Sequence, residues 1–263
     1  MNSPPISRSL FARYGLAWLP IPLLTLAMVV LWVADVRVVW PVRPLSWFVH
    51  YGSVVLGVGL IVIPAARNFL TSGQPSILML GCGVLIMDIG VVAMPIAFAR
   101  SSDMAFAIYN TSVLLSAWCH FAGVAMTSWR KIPLARSAAW LVAAYASGTA
   151  VMGLVIWAAF AGRMPVFFID GQGGTLLRNL VVSGAVAFFL LTAGLLWQAN
   201  RRAASPFLCW YALGLVLLSA GLAGSMAIAV KDSPLQWVAR FTQFIGAVYM
   251  CVAVLATLGE SGA

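Results

Sequence analysis

Apolar residues run through this chain in long, nearly unbroken stretches, and polar residues gather in short intervals between them. A helix needs about 20 consecutive apolar residues to cross the hydrocarbon layer of a bilayer. Eight such runs can be drawn, at about 15–35, 45–66, 75–98, 106–128, 137–161, 175–198, 206–230 and 236–258. The intervals carry turn and helix-stop chemistry: RNFLTSGQP from Arg67, RSSD from Arg100, RKIPLAR from Arg130, GRMPVFFIDGQGG from Gly162, NRRAASP from Asn200 and KDSP from Lys231. Glycine and proline there mark where helices stop and restart. The pattern predicts an all-α fold, a polytopic integral membrane bundle of about eight transmembrane helices forming one domain over residues 1–263, with no second, soluble domain and no internal repeat.

Composition removes the alternatives. Of 263 residues, 63% are hydrophobic and 8% charged, against roughly 25% charged in a soluble domain. That much apolar surface exceeds what one 28.0 kDa particle can bury, so the remainder faces lipid. A disordered chain has the reverse composition. The first run follows Arg8 and Arg13 as a signal peptide would, but it continues through Leu31, Trp32 and Val33 with no small-residue cleavage site, so an anchor helix is expected.

Fifteen Lys and Arg against six Asp and Glu give a net charge of +9. No run of basic residues interleaved with aromatics forms a phosphate track, so nucleic acid is excluded as a partner. The basic residues instead report orientation. With the N-terminus inside, Arg8, Arg13, Arg67, Arg130, Lys131, Arg136, Arg201 and Arg202 lie on the inner side, and the smaller set Arg37, Arg43, Arg100, Arg163 and Lys231 on the outer. Both termini are therefore expected in the cytoplasm, in a multi-pass protein of the cell's inner (cytoplasmic) membrane.

Ionisable residues inside spans are costly and usually face the bundle interior. Five are present: His50, Asp88, His120, Arg178 and Arg240. His50, Arg178 and Arg240 fall within a turn or two of the outer side, in one layer. Thr175, Arg178, Asn179 and Ser183 share one helical face, and Gln236, Arg240 and Gln243 another. These stripes suggest a water-accessible cavity with His50, Arg178, Asn179, Arg240 and Gln243 as ligand-binding residues, Trp47 supplying an aromatic wall. Two guanidiniums would favour an anion or a carbonyl-rich molecule such as a quinone. The competing reading is that both arginines snorkel separately to the headgroups.

Asp88 and His120 differ in depth by roughly 6 Å at 1.5 Å rise per residue, close enough to be read as a buried polar pair, either an ion pair or a hydrogen bond fixing helix register. Bis-imidazole haem is disfavoured, because His50 and His120 differ in depth by something like 14 Å. No ligand set for a metal stands out, and no cofactor is assigned. Cys82, Cys119, Cys209 and Cys251 lie in separate apolar runs without a CxxC and read as packing residues. No GxSxG, HExxH, P-loop or dinucleotide turn occurs, so no catalytic residue is named and a non-enzymatic role is expected. The GQGG at Gly171 to Gly174 reads as a loop leading to a cap at Thr175.

The stretches PLQWVARFTQFIGAVYMCVAVLATLGES (Pro234 to Ser261), GGTLLRNLVVSGAVAFFLLTAGLLW (Gly173 to Trp197), FLCWYALGLVLLSAGLAG (Phe207 to Gly224) and FVHYGSVVLGVGLIVIPAARNFL (Phe48 to Leu70), with the span around Asp88, resemble the MASE-type membrane-associated sensor domains. These are multi-helix modules that precede PAS, histidine-kinase or cyclic-di-GMP-synthesising domains. The resemblance runs from about Pro44 to Ser261 and rests on texture, aromatic spacing and a few polar positions. It implies a sensor or signal-input module of a two-component or cyclic-di-GMP system, with a cytoplasmic kinase or cyclic-di-GMP effector as domain or partner. The family's last helix would run on beyond the position of Ala263, so either an isolated module or a stand-alone protein working through a partner is expected. The other expected partners are the lipid bilayer, a small anionic or carbonyl-rich ligand and a second copy of the chain in a homodimer. A transporter, or a quinone or haem subunit of a membrane redox complex, is the alternative.

The charge count generates a topology prediction. Reporters fused after Ala263 and within Arg130 to Arg136 should both report cytoplasm, and an external signal from either would refute the orientation.

Overall fold

The computed structural model describes residues 15–41, 43–129 and 134–261. In chain order the elements are α1 (Pro20–Val33), α2 (Arg43–Gly57), a π-helical segment (Val58–Val62), α3 (Ile63–Ser72), α4 (Pro75–Phe98), α5 (Ser102–Trp129) and α6 (Ser137–Phe160). There follow β1 (Phe168–Ile169), β2 (Gly173–Gly174), α7 (Leu176–Ala203), α8 (Pro206–Met226) and α9 (Pro234–Ser261). The fold is all-α apart from the two-residue strands, and helix ends fall within a few residues of the expected spans. Among the described residues seven helices have the length and apolarity to cross a membrane, as in a multi-pass membrane protein.

The eighth expected span, α5, is as long but holds no stretch as apolar as theirs, and the reason is its position. Asn110, Ser112, Ser116 and His120 are all buried along it. Where it faces protein rather than lipid, α5 is released from the requirement for uniform apolarity; Ser112 bonds back to Tyr109 O at 2.7 Å and Thr127 to Gly123 O at 3.1 Å, while the buried Ser116 hydroxyl has no partner among the described residues.

Local chemistry sets the helix boundaries. Prolines occupy the first turns of α1, α4 and α8, where no N–H is needed. Gly73 adopts φ 64° and ends α3 as a left-handed cap. Thr175 caps α7 by accepting from Arg178 N at 3.3 Å. GQGG is the turn and second strand of a hairpin, with Gly171 at φ 82° and Gly173 at φ 97°. The π segment lies directly before Pro64, which lacks the N–H that would bond to Leu60. The Ile63 N–H reaches back five residues to Val58 O instead.

Six helices close a ring, with α2 against α4, α4 against α5, α5 against α7, α7 against α8, α8 against α9 and α9 back against α2. Helix α6 packs outside the ring on α3, α4 and α5, and α1 packs outside it on α8 and α9. The outer positions show in burial: 11% of the spanning window is buried in α1 and in α6, against 61% in α4 and in α8. Apolar side chains including Ile61, Val84, Phe189, Leu215 and Met250 fill the middle of the ring.

One end of the ring carries the hairpin and the connectors around residues 34–41, 99–101 and 227–233. Here the Asp103 carboxylate accepts from the N–H groups of Phe167 (2.6 Å) and Phe168 (2.8 Å), tying the hairpin to the start of α5. Trp237 Nε1 donates to Trp40 O at 3.0 Å, and Trp40 N donates to Asp232 O at 2.9 Å. Asp35, Asp103, Asp170 and Asp232 all lie at this hairpin end, whereas Arg67, Arg136, Arg201 and Arg202 lie at the other. Arg8, Arg13, Arg130 and Lys131, which entered the orientation count, lie outside the described residues, as does Ala263.

Helices α8 and α9 approach most closely at glycines. A Cβ at Gly214 would sit 2.8 Å from Gly246 O, a Cβ at Gly246 would sit 2.8 Å from Gly214 O, and one at Gly221 would sit 2.7 Å from Ala239 O. Backbone blocks each of these, so no side-chain rotation relieves the clash. Gly214→Ala should therefore destabilise the protein by about 1–3 kcal/mol. Gly153→Ala has nothing within 4 Å and should be neutral, or stabilising by up to about 1 kcal/mol. Melting temperatures in detergent check the contrast, and equal effects would refute the tight seam.

Candidate functional site

Helix α2 presents His50, Ser53 and Gly57 at spacings of three and four, and α9 presents Gln236, Arg240 and Gln243 at four and three. Each set shares one helical face. Both faces point into the ring, where they meet Asp88 of α4, Phe106, Tyr109 and Asn110 of α5, and Arg178 of α7 around a cavity of about 80 Å³. Above it, at the hairpin end, a vestibule of about 550 Å³ is lined by Trp47, Phe98, Lys231, Asp232 and Trp237. His50 and Arg240 line both spaces and so lie between them.

Arg178 is 0% exposed. Its Nη2 donates to Ser225 O at 2.8 Å, and its guanidinium lies 4.7 Å from the ring centre of Phe106 and 5.6 Å from that of Phe168. Among the described residues, Nε and Nη1 have no hydrogen-bond partner and no carboxylate pairs with the group. Each cation–π contact contributes about 0.5–2 kcal/mol, whereas an uncompensated buried charge costs several kcal/mol. The contacts that hold Arg178 therefore leave its charge only partly offset. Being fully covered, it does not snorkel.

Arg240 is held differently. Its Nη1 lies 3.4 Å from Asp232 Oδ1, and its guanidinium lies 5.3 Å from the ring centre of Trp237, at the floor of the vestibule. Gln243, one turn deeper, accepts a hydrogen bond from the Tyr109 hydroxyl. Gln236 accepts from the backbone N–H of Asp232, fixing the turn that carries that carboxylate.

Four of the residues assigned to ligand binding from sequence, His50, Arg178, Arg240 and Gln243, line the same cavity. Asn179 does not. It follows Arg178 by one residue, about 100° around the helix, and is half-buried beside Gly174 with Oδ1 unpartnered. Trp47 is 63% exposed and forms part of the vestibule wall.

The Asp88 and His120 pair is corrected by the structure, since no hydrogen bond or ion pair joins the two. Asp88 packs against Gly57, where a Cβ would collide with its carboxylate, and faces the cavity. The Nδ1 of His120 lies 2.8 Å from Ser116 O. A carbonyl can only accept, so Nδ1 carries the proton. The His120 ring stacks on Tyr211 with centres 6.0 Å apart and lines a separate pocket of about 420 Å³ toward the opposite end, among α4, α5, α7 and α8. Helical rise gives depth along a span but leaves open the direction in which a side chain leaves its helix, and these two leave in different directions.

Asp88, Asp232, Tyr109 and Asn110 were missed as members of the cavity and its rim. Part of the signal was present, since Asp103, Phe106 and Asn110 follow an i, i+3, i+7 stripe down α5. Among the described residues no group of three His, Cys, Asp or Glu could hold a metal ion. The four cysteines are free and buried, with Cys82 Sγ 3.6 Å from Ala144 O and Cys251 Sγ 3.7 Å from Leu56 O.

No family model, curated protein or solved structure matches the chain. Nothing in these comparisons identifies a MASE-type sensor domain.

Because Asp88 and His120 lack a shared contact, the stability losses of Asp88→Asn and His120→Gln should add in the double variant to within about 0.5 kcal/mol. A double-variant loss well below the sum, measured by thermal melting in detergent, would restore the pair.

Proposed function

We propose that this chain is a non-enzymatic signal-input module embedded in the cytoplasmic membrane, in which a small ligand enters from the hairpin end, binds inside the six-helix ring and biases α9. The observation that carries this reading is Arg178, a fully buried guanidinium in the wall of a cavity that has its own vestibule, with no carboxylate partner among the described residues. An unneutralised cation in such a place suits recognition of a ligand carrying a carboxylate or another oxygen acceptor better than it suits packing.

Helix α9 is the natural output. It contributes Gln236, Arg240 and Gln243 to the cavity, and its 28 residues extend about 42 Å, from the binding layer to the opposite end. On the orientation expected from charge, that end is cytoplasmic, where a kinase or cyclic-di-GMP effector would receive it, in keeping with the resemblance to MASE-type modules. Coupling requires two arrangements of α9 with different ligand affinity, because equal affinity shifts no population.

The transporter reading has one observation in its favour. Asp88 lies ten residues before the end of α4, about 15 Å deep, beside Gly57 where the helix runs into its π segment. Interrupted helices beside an ionisable residue near mid-membrane are a feature of transporter sites.

A histidine-kinase reporter fused after Ala263 tests the proposal. Arg178→Lys should change kinase output by about fivefold or more, the lower range of allosteric coupling, with membrane insertion unchanged. Equal output from both chains would refute signal input, and uptake of butyrate or glycine into proteoliposomes containing the chain would favour transport.

A further inference from the structure

Two groups of opposite charge type in the cavity wall lack a partner, and they lie at different depths. Near the hairpin end Arg178 has Nε and Nη1 unpartnered, and deeper in the wall Asp88, 3% exposed, has Oδ2 unpartnered. No ion pair joins them to each other or to any other described residue. Asp88 lies ten residues before the end of α4 and Arg178 is the third residue of α7, so their layers are separated by about 10 Å of helix rise. Between them Asn110, 1% exposed, offers an unpartnered Nδ2, and the remaining wall is mostly apolar, with Val91, Leu218, Ala247 and Met250 among its residues.

This arrangement discriminates among ligand classes. A simple anion would neutralise Arg178 and be repelled by an ionised Asp88, and a simple amine would do the reverse. A molecule with a carboxylate at one end and an ammonium at the other matches both poles, leaves the net charge of the cavity unchanged and places its methylene groups against the apolar wall. Charge-assisted hydrogen bonds of this kind are the strong ones in a site screened from water.

We propose that the cavity binds a small amino carboxylate, with its carboxylate on the guanidinium of Arg178 and its ammonium on the carboxylate of Asp88. The inference rests on the cavity being a ligand site, as in the function proposed above, but requires no signalling. It gives Asp88 a role at the opposite pole of the site from the arginine, where sequence reading had joined it to His120.

The test is calorimetric titration of the full chain in detergent with glycine, β-alanine and 4-aminobutyrate, and with butyrate and butylamine as single-charge controls. The best amino carboxylate should bind at least about tenfold more tightly than either control, the loss expected when one charge-assisted hydrogen bond is missing. Asp88→Asn should abolish the preference over butyrate, and Arg178→Gln the preference over butylamine, each in protein that still elutes as a single species. The comparison on the unaltered chain needs no substitution and decides the matter if a variant fails to fold. Butyrate or butylamine binding as tightly as the best amino carboxylate would overturn the inference, as would a preference over butyrate that survives Asp88→Asn or binding by none of the five compounds. Amino-carboxylate binding with no difference in reporter output would leave this site standing and refute signal input. Altered reporter output with no preference for amino carboxylates would do the opposite.

Discussion

The burial of Arg178 is the constraint around which the hairpin end of this protein is built. A guanidinium with 0% exposure must have its charge and its donors met from inside the protein, and several elements converge to do so. Asp103 accepts two backbone N–H groups of the hairpin and thereby positions the Phe168 ring beside the guanidinium, while Phe106, one turn after Asp103 on α5, supplies the nearer ring. Thr175 caps α7 immediately before the arginine, and the end of α8 offers Ser225 O. Hairpin, cap, α5 and α8 thus form one assembly about a single cation that they satisfy only in part.

The same economy explains the ring. In lipid, polar side chains are tolerated where they face protein or a cavity, and here they follow that rule: Asp88, Asn110, Ser116, His120, Arg178 and Thr242 are all buried. The outer helices α1 and α6 carry almost none of this chemistry and expose Leu23, Leu26, Val142 and Leu154 instead. Glycines at the α8 and α9 seam let the backbones approach. Small-residue seams of this kind hold membrane helices together where lipid supplies no hydrophobic drive. Helix α9 therefore joins the cavity to the opposite end while packed closely along one side, which suits displacement as a unit better than local bending.

Much of the architecture was legible in the chain alone. Apolar runs between Pro and Gly intervals placed the helices to within a few residues, because the need to satisfy backbone polar groups in lipid leaves little choice but helices. The stripes on α7 and α9, and the shared depth of His50, Arg178 and Arg240, pointed to the layer where the cavity lies, since depth follows from counting residues at 1.5 Å each. The reading stopped at direction: Asn179 shares a stripe with Arg178 but packs beside Gly174 and does not line the cavity, and Asp88 and His120 share an approximate depth but face different pockets.

What this sequence determined by itself was the all-α, membrane-type architecture, approximate helix boundaries and the position of each polar residue along its helix, all one-dimensional properties set by apolar run length and helical rise. Tertiary structure decided which helices close the ring, that α5 is one of them and packs its polar positions against protein, and which polar groups meet. Those outcomes depend on the rotation of each helix about its axis and on close packing between residues far apart in the chain, as in Gly214 against Gly246 or Arg178 against Ser225. Asp88 shows the difference most plainly: its depth was readable from the residue count, but its place in the wall of the Arg178 cavity, against Gly57, exists only once α2, α4 and α9 have packed.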